Sequence, residues 1–73
     1  MRSKPFMKLK GRMVELGYTQ NEVANRLGIT LPRFNEKLNG KTDFWLSEIF
    51  DLATILDIPA EQFYDYFFAP MVR

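Results

Sequence analysis

The strongest constraint on this chain is the stretch Thr19 to Lys41, TQNEVANRLGITLPRFNEKLNGK, which reads as two short helices joined at a glycine. Thr19 can accept a hydrogen bond from the amide three residues on, and Glu22 can reach back to the Thr19 amide. This reciprocal capping box satisfies two donors that a helix start otherwise leaves orphaned. The helix therefore begins at Gln20. Val23, Ala24 and Leu27 share one face at helical spacing, and Gly28 follows where a left-handed residue must turn the chain. Thr30 offers a second cap. Pro32 is tolerated in a first turn because its missing N–H would be an orphan there, and Phe34 and Leu38 continue an apolar stripe as far as Asn39-Gly40. The second helix is predicted over Leu31 to Leu38.

Gln20, Ala24, Gly28 and Phe34 fall at positions one, five, nine and fifteen of the helix-turn-helix pattern, with Asn39-Gly40-Lys41 after it. In these residues the chain resembles the lambda-repressor-like (Cro-type, XRE) family of phage and plasmid transcriptional regulators, over roughly Lys8 to Phe68. The small Ala24 lets the helices approach, Gly28 makes the turn, and Phe34 pins the second helix to the core. The resemblance implies an all-α, compact five-helix domain with the helix-turn-helix in helices 2 and 3.

Residues 73 in number make one domain, organised as a basic arm over 1–5 expected to be mobile, a five-helix core over 6–68 and a tail over 69–73. Seven Phe, three Tyr and one Trp supply enough apolar surface for a compact core, which excludes a disordered chain. Cys and His are both absent, so there is no disulfide framework, no thiolate or imidazole metal site and no histidine base. An enzyme is not expected, since Asp51, Asp57, Glu61 and Asp65 read as solvent-facing charges; nor is a cofactor, a metal or a small-molecule ligand. The opening MRSKPFMKLK lacks an apolar stretch behind its charges, and no run approaches the roughly 18 residues that span a bilayer. A cytoplasmic protein of bacterial or phage origin is the expectation.

The net charge of +1 hides a division. Residues 1–42 hold nine Lys or Arg against three Glu, whereas residues 43–73 hold Arg73 against six acids. Such polarity would turn the first half toward a polyanion and the second away from it or toward a protein.

In chain order, Phe6, Leu9, Met13 and Leu16 recur at helical spacing before Gly17, so a first helix is predicted over Pro5 to Leu16. Asp43 is the expected cap of a fourth helix running to about Leu56, with Leu46, Ile49, Ala53 and Leu56 on its buried face. Phe44, Trp45 and Phe50 exceed that stripe; Trp45 is expected to pack over the loop, the alternative being a partner interface. Asp57-Ile58-Pro59 breaks the helix, and a fifth is predicted over Ala60 to Phe68 with Phe63 and Phe67 facing the core.

The expected partner is double-stranded DNA, bound by a homodimer on a two-fold operator with the second helix of the motif in the major groove. By the resemblance, base reading falls to Thr30, Leu31, Pro32, Arg33, Asn35 and Glu36, and phosphate contact to Lys10, Arg12, Gln20, Lys37, Asn39 and Lys41. Leu31 and Pro32 cannot hydrogen-bond a base, and Glu36 carries negative charge toward phosphate; Arg33 and Asn35 could compensate, Leu31 could contact a thymine methyl, and Glu36 could accept from cytosine N4. Tyr64, Phe68, Met71 and Val72 are apolar surface too plentiful for one short helix to bury, and the resemblance places the dimer interface there. The competing expectation is a protein-interaction module, an antirepressor or antitoxin-like adaptor working through the aromatic C-terminal face.

Overall fold

The computed structural model describes residues 6–71, with the side chains of 6–70. Four α-helices come first: α1 Met7–Leu16, α2 Gln20–Leu27, α3 Leu31–Leu38 and α4 Leu46–Ile55. A C-terminal helical segment follows, in which a 3-10 turn Ala60–Gln62, a π-helical turn Tyr64–Phe68 and a 3-10 turn Ala69–Met71 run together. Among the described residues the fold is all-helical, as expected, with no strand. Arm residues 1–5 and tail residues 72–73 lie outside the described part.

The core is built on Phe34 of α3 and Phe67 of the C-terminal segment, both fully enclosed, with Leu9 and Met13 of α1, Val23 of α2, Leu38 of α3, and Leu52 and Leu56 around them. Helix α2 packs against both α3 and α4, while α1 lies against the C-terminal segment. Burying aromatic rings of this size dominates the stabilisation, and edge-on geometry adds to it. Phe6, Phe44 and Phe34 form one such chain, with centroids 5.1 Å and 6.3 Å apart, and Phe63 meets Phe67 at 5.7 Å.

Packing of those rings accounts for the boundaries that differ from the sequence expectation. Helix α1 starts at Met7 rather than Pro5, because Phe6 takes a left-handed backbone (φ 60°) that swings its ring into the core against Phe44. Helix α4 starts at Leu46 rather than after Asp43: Phe44 must point inward from non-helical chain, and Trp45 becomes the N-cap residue. The stripe holds at Ile49, Ala53 and Leu56. Leu46, expected inside, is exposed, and the buried face of α4 is Ile49, Leu52, Ala53 and the following Leu56. Trp45, expected over the loop as core, is 65% exposed. The fifth helix forms where predicted but is irregular and extends to Met71.

Gly11 in the middle of α1 faces open space, with no atom within 4 Å of where a Cβ would stand. The two oppositely charged halves of the sequence meet where α1 lies against the C-terminal segment. Lys8 of α1 meets Asp65 at 3.7 Å, and Arg12 reaches the end of α4, so basic and acidic segments are packed together.

Candidate functional site

The two-helix unit forms as its local chemistry dictates. The Thr19 hydroxyl accepts from the Glu22 N–H at 3.1 Å, and the Thr19 N–H donates to Glu22 Oε1 at 2.9 Å. The Thr19 N–H first, and the Thr19 hydroxyl after it, favour the charged carboxylate and hold the Glu22 pKa below its ordinary value. Gly28 sits at φ 78°, its N–H bonded back to the end of α2. The Thr30 hydroxyl then accepts from the Arg33 N–H at 3.3 Å and caps α3. At the far end Gly40 (φ 80°) and Lys41 close the helix, the Lys41 N–H donating to the Glu36 carbonyl at 2.9 Å.

Of the residues expected to read bases, Thr30, Pro32, Arg33 and Glu36 are exposed, and Leu31 and Asn35 are half-buried. Among those expected at phosphate, Asn39 and Lys41 are exposed and Gln20 is half-buried. Lys10 donates to Asn39 Oδ1 at 3.4 Å, which ties α1 to the end of α3.

Two of the expected phosphate contacts are corrected by the structure. Lys37 is only 4% exposed: its Nζ lies 3.0 Å from Glu48 Oε1 and donates to the Asp43 carbonyl at 2.9 Å. Its charge is spent inside, closing the α3–α4 loop. Glu48 in turn accepts from the Trp45 N–H at 2.8 Å, so one carboxylate both caps α4 and neutralises the lysine. Arg12 is likewise occupied, donating from Nε to the Leu56 carbonyl at 2.9 Å and from Nη2 to that of Asp57 at 3.2 Å, where α4 leaves its last carbonyls unpaired.

The surface that sequence reasoning did not place is at the start of α4. Trp45, Leu46 and Phe50 are all exposed, Leu46 and Phe50 stand one turn apart, and the Phe50 ring contacts Phe63 at 6.0 Å. Tyr64 and Phe68, expected at a dimer interface, are exposed as well; the Met71 side chain and Val72 lie outside the described part. The signal for the α4 patch in the sequence is the surplus of Phe44, Trp45 and Phe50 over the α4 stripe. Next to Trp45 a groove of about 450 Å³ opens between α3 and the loop, lined by Arg33, Glu36, Lys37, Thr42, Asp43 and Trp45. Among the described residues no set of acids is placed to hold a metal ion, and no helix is long and apolar enough to cross a membrane.

Comparison with known proteins finds a family and solved structures that match. Residues 3–70 match the model of the family described as "Protein of unknown function (DUF739)". The fold is similar to the solution structure of the modulator of repression of the temperate bacteriophage TP901-1 from Lactococcus lactis. The TM-score is 0.77 at 26% identity, covering 93% of this chain and 92% of that one. No curated protein sequence matches. These findings overturn the Cro-type repressor resemblance taken from the helix-turn-helix spacing, since the family and the structure matched lie elsewhere. The reason is physical: two caps, a turn glycine and one pinning aromatic specify a pair of helices, and any family that needs the pair will carry them.

Proposed function

The chain belongs to the DUF739 family, and from that premise, with its likeness to the phage modulator, we infer that it is a phage regulatory protein that modulates repression by contacting another protein. The observation that carries this reading is the apolar ridge of Trp45, Leu46 and Phe50, exposed by 65%, 63% and 54%. A chain this small gains nothing in stability from three large apolar side chains in water. Contiguous exposed patches of that kind mark protein contact, and aromatic anchors are where such contacts concentrate their energy. Helix α3 supports the same reading from the other side: one of its two lysine or arginine side chains, Lys37, is internal, and its outer face presents Pro32 and the acidic Glu36.

The test is a gel-shift series with the repressor from the same genome and its operator. The expected outcome is that this protein alters the repressor's operator affinity, and that Phe50→Glu removes the effect. Unchanged repressor binding at saturating protein would overturn the reading.

One observation favours a second reading, operator binding by the protein itself. The capped α2–turn–α3 unit leaves Arg33, Asn39 and Lys41 exposed, where a pair of copies joined through Tyr64 and Phe68 would present them to DNA. Such binding must weaken steeply with salt, since each neutralised phosphate releases counterions. The protein alone shifting a specific duplex, as a dimer by sedimentation, would favour it over the modulator reading.

A further inference from the structure

We propose that the groove between α3 and the α3–α4 loop is a receptor for a guanidinium group, namely an arginine side chain of the protein partner. The proposal rests on the protein-contact reading and names what one part of that contact recognises. The groove has three features that suit a planar cation. Its wall is Trp45, whose indole is the most electron-rich of the aromatic faces, attracting cations and disfavouring anions. That preference is already visible, because Lys37 Nζ stands 5.5 Å from the Trp45 ring centroid. Its rim carries two carboxylates, Glu36 and Asp43, neither of which takes part in a salt bridge among the described residues. The groove's own cations do not cancel them. Lys37 is neutralised by Glu48 at 3.0 Å, so among the described lining residues Arg33 is the one cation outside a salt bridge, set against the carboxylates of Glu36 and Asp43.

Arginine fits this arrangement better than lysine. A guanidinium can stack flat on the indole while its edge donates two parallel hydrogen bonds to one carboxylate, whereas an ammonium is a strongly hydrated point charge that does neither. The floor is also fixed in advance. The Asp43 carbonyl is held by Lys37 and the Trp45 amide by Glu48, so two of the lining residues have their backbone positions set before any ligand arrives. A receptor organised in this way loses little freedom on binding.

Trp45 is the only tryptophan in the chain, so its fluorescence reports on this groove alone. The experiment titrates the folded protein with N-acetyl-arginine amide, whose one charge is the guanidinium, and follows Trp45 emission together with amide and indole shifts by NMR. The matched lysine and citrulline derivatives and sodium acetate serve as comparisons. The expected result is a saturable response in the millimolar range, with shifts confined to Trp45, Glu36, Asp43 and their neighbours. Lysine should bind about threefold more weakly and citrulline about tenfold or more, because the first loses the stacked fork and the second the charge. Glu36→Gln and Asp43→Asn are exposed changes that leave the melting temperature in place, and each should weaken the arginine response at least about threefold. If citrulline matches arginine, if acetate binds instead, or if the shifts map elsewhere, the proposal falls. Its failure is distinct from that of the modulator reading: a groove blind to arginine in a protein that still alters repressor binding sinks only this inference.

Discussion

Lys37 shows how a residue's meaning depends on what lies across from it. Between Glu36 and Leu38 it reads as an ordinary surface lysine at the end of a helix, yet it is enclosed with Glu48, the Asp43 carbonyl and the Trp45 ring. Nothing in the local sequence marks Glu48 as its partner, because the pairing depends on where α4 begins. Arg12 was misread for the same reason, its acceptors being carbonyls at a helix end far along the chain. A buried charge pair is costly to break and cheap to replace. Lys37→Ala should therefore destabilise the fold by about 3 kcal/mol, since it strands the Glu48 carboxylate. Chemical denaturation should show the double change Lys37→Met with Glu48→Leu recovering most of that loss. Additive costs of the two single changes would mean that the pair is not coupled.

At the level of elements, the α2–turn–α3 unit was legible in full because its signals are local: a cap, its reciprocal glutamate, a glycine with positive φ and a second cap, all within a few residues. The start of α4 was not, because Phe44 is drawn out of the helix by Phe6 and Phe34, which are remote in sequence. With α4 starting at Leu46, that residue lies at the helix end and is exposed, as Trp45 and Phe50 are, while Ile49, Ala53 and Leu56 stay inside. Thr19→Ala should cost about 1 kcal/mol, the usual worth of such a cap, seen in thermal or urea unfolding. Gly28→Ala should cost roughly 1–2 kcal/mol for backbone strain alone, as open space surrounds the position. The capping box also carries a pH signature. Glu22 has its pKa lowered below 4.5 in the folded state, so the unfolded chain binds the proton more readily. Its contribution is fully present above pH 4.5 and is lost as pH falls below that value through the depressed pKa. Glu22→Gln should flatten the stability curve in that acid range, and an unchanged acid limb would remove the capping box as its cause.

Over the whole molecule, the oppositely charged halves of the sequence meet where α1 is laid on the C-terminal segment and Lys8 faces Asp65. What remains distinctive is apolar: the exposed ridge on α4, with Tyr64 and Phe68 exposed on the segment beyond. Substitutions there separate stability from function. Leu46→Glu should shift stability by no more than about 0.5 kcal/mol by calorimetry, as exposed changes generally do, and Phe50→Glu by about 1 kcal/mol for its lost contact with Phe63, while both abolish any effect on the repressor. A large drop in melting temperature would instead assign the ridge to the fold.

The bare face at Gly11 has a practical corollary. A glycine inside a helix gives its unfolded chain extra freedom, and here no neighbouring atom, strained angle or hydrogen bond requires it. Gly11→Ala is therefore a neutral graft site turned stabiliser: it should raise the melting point through about 0.5–1 kcal/mol while leaving the groove, the ridge and α3 untouched. A hardened background of that kind would offset the loss in milder variants such as Thr19→Ala, whose cost of about 1 kcal/mol it nearly matches.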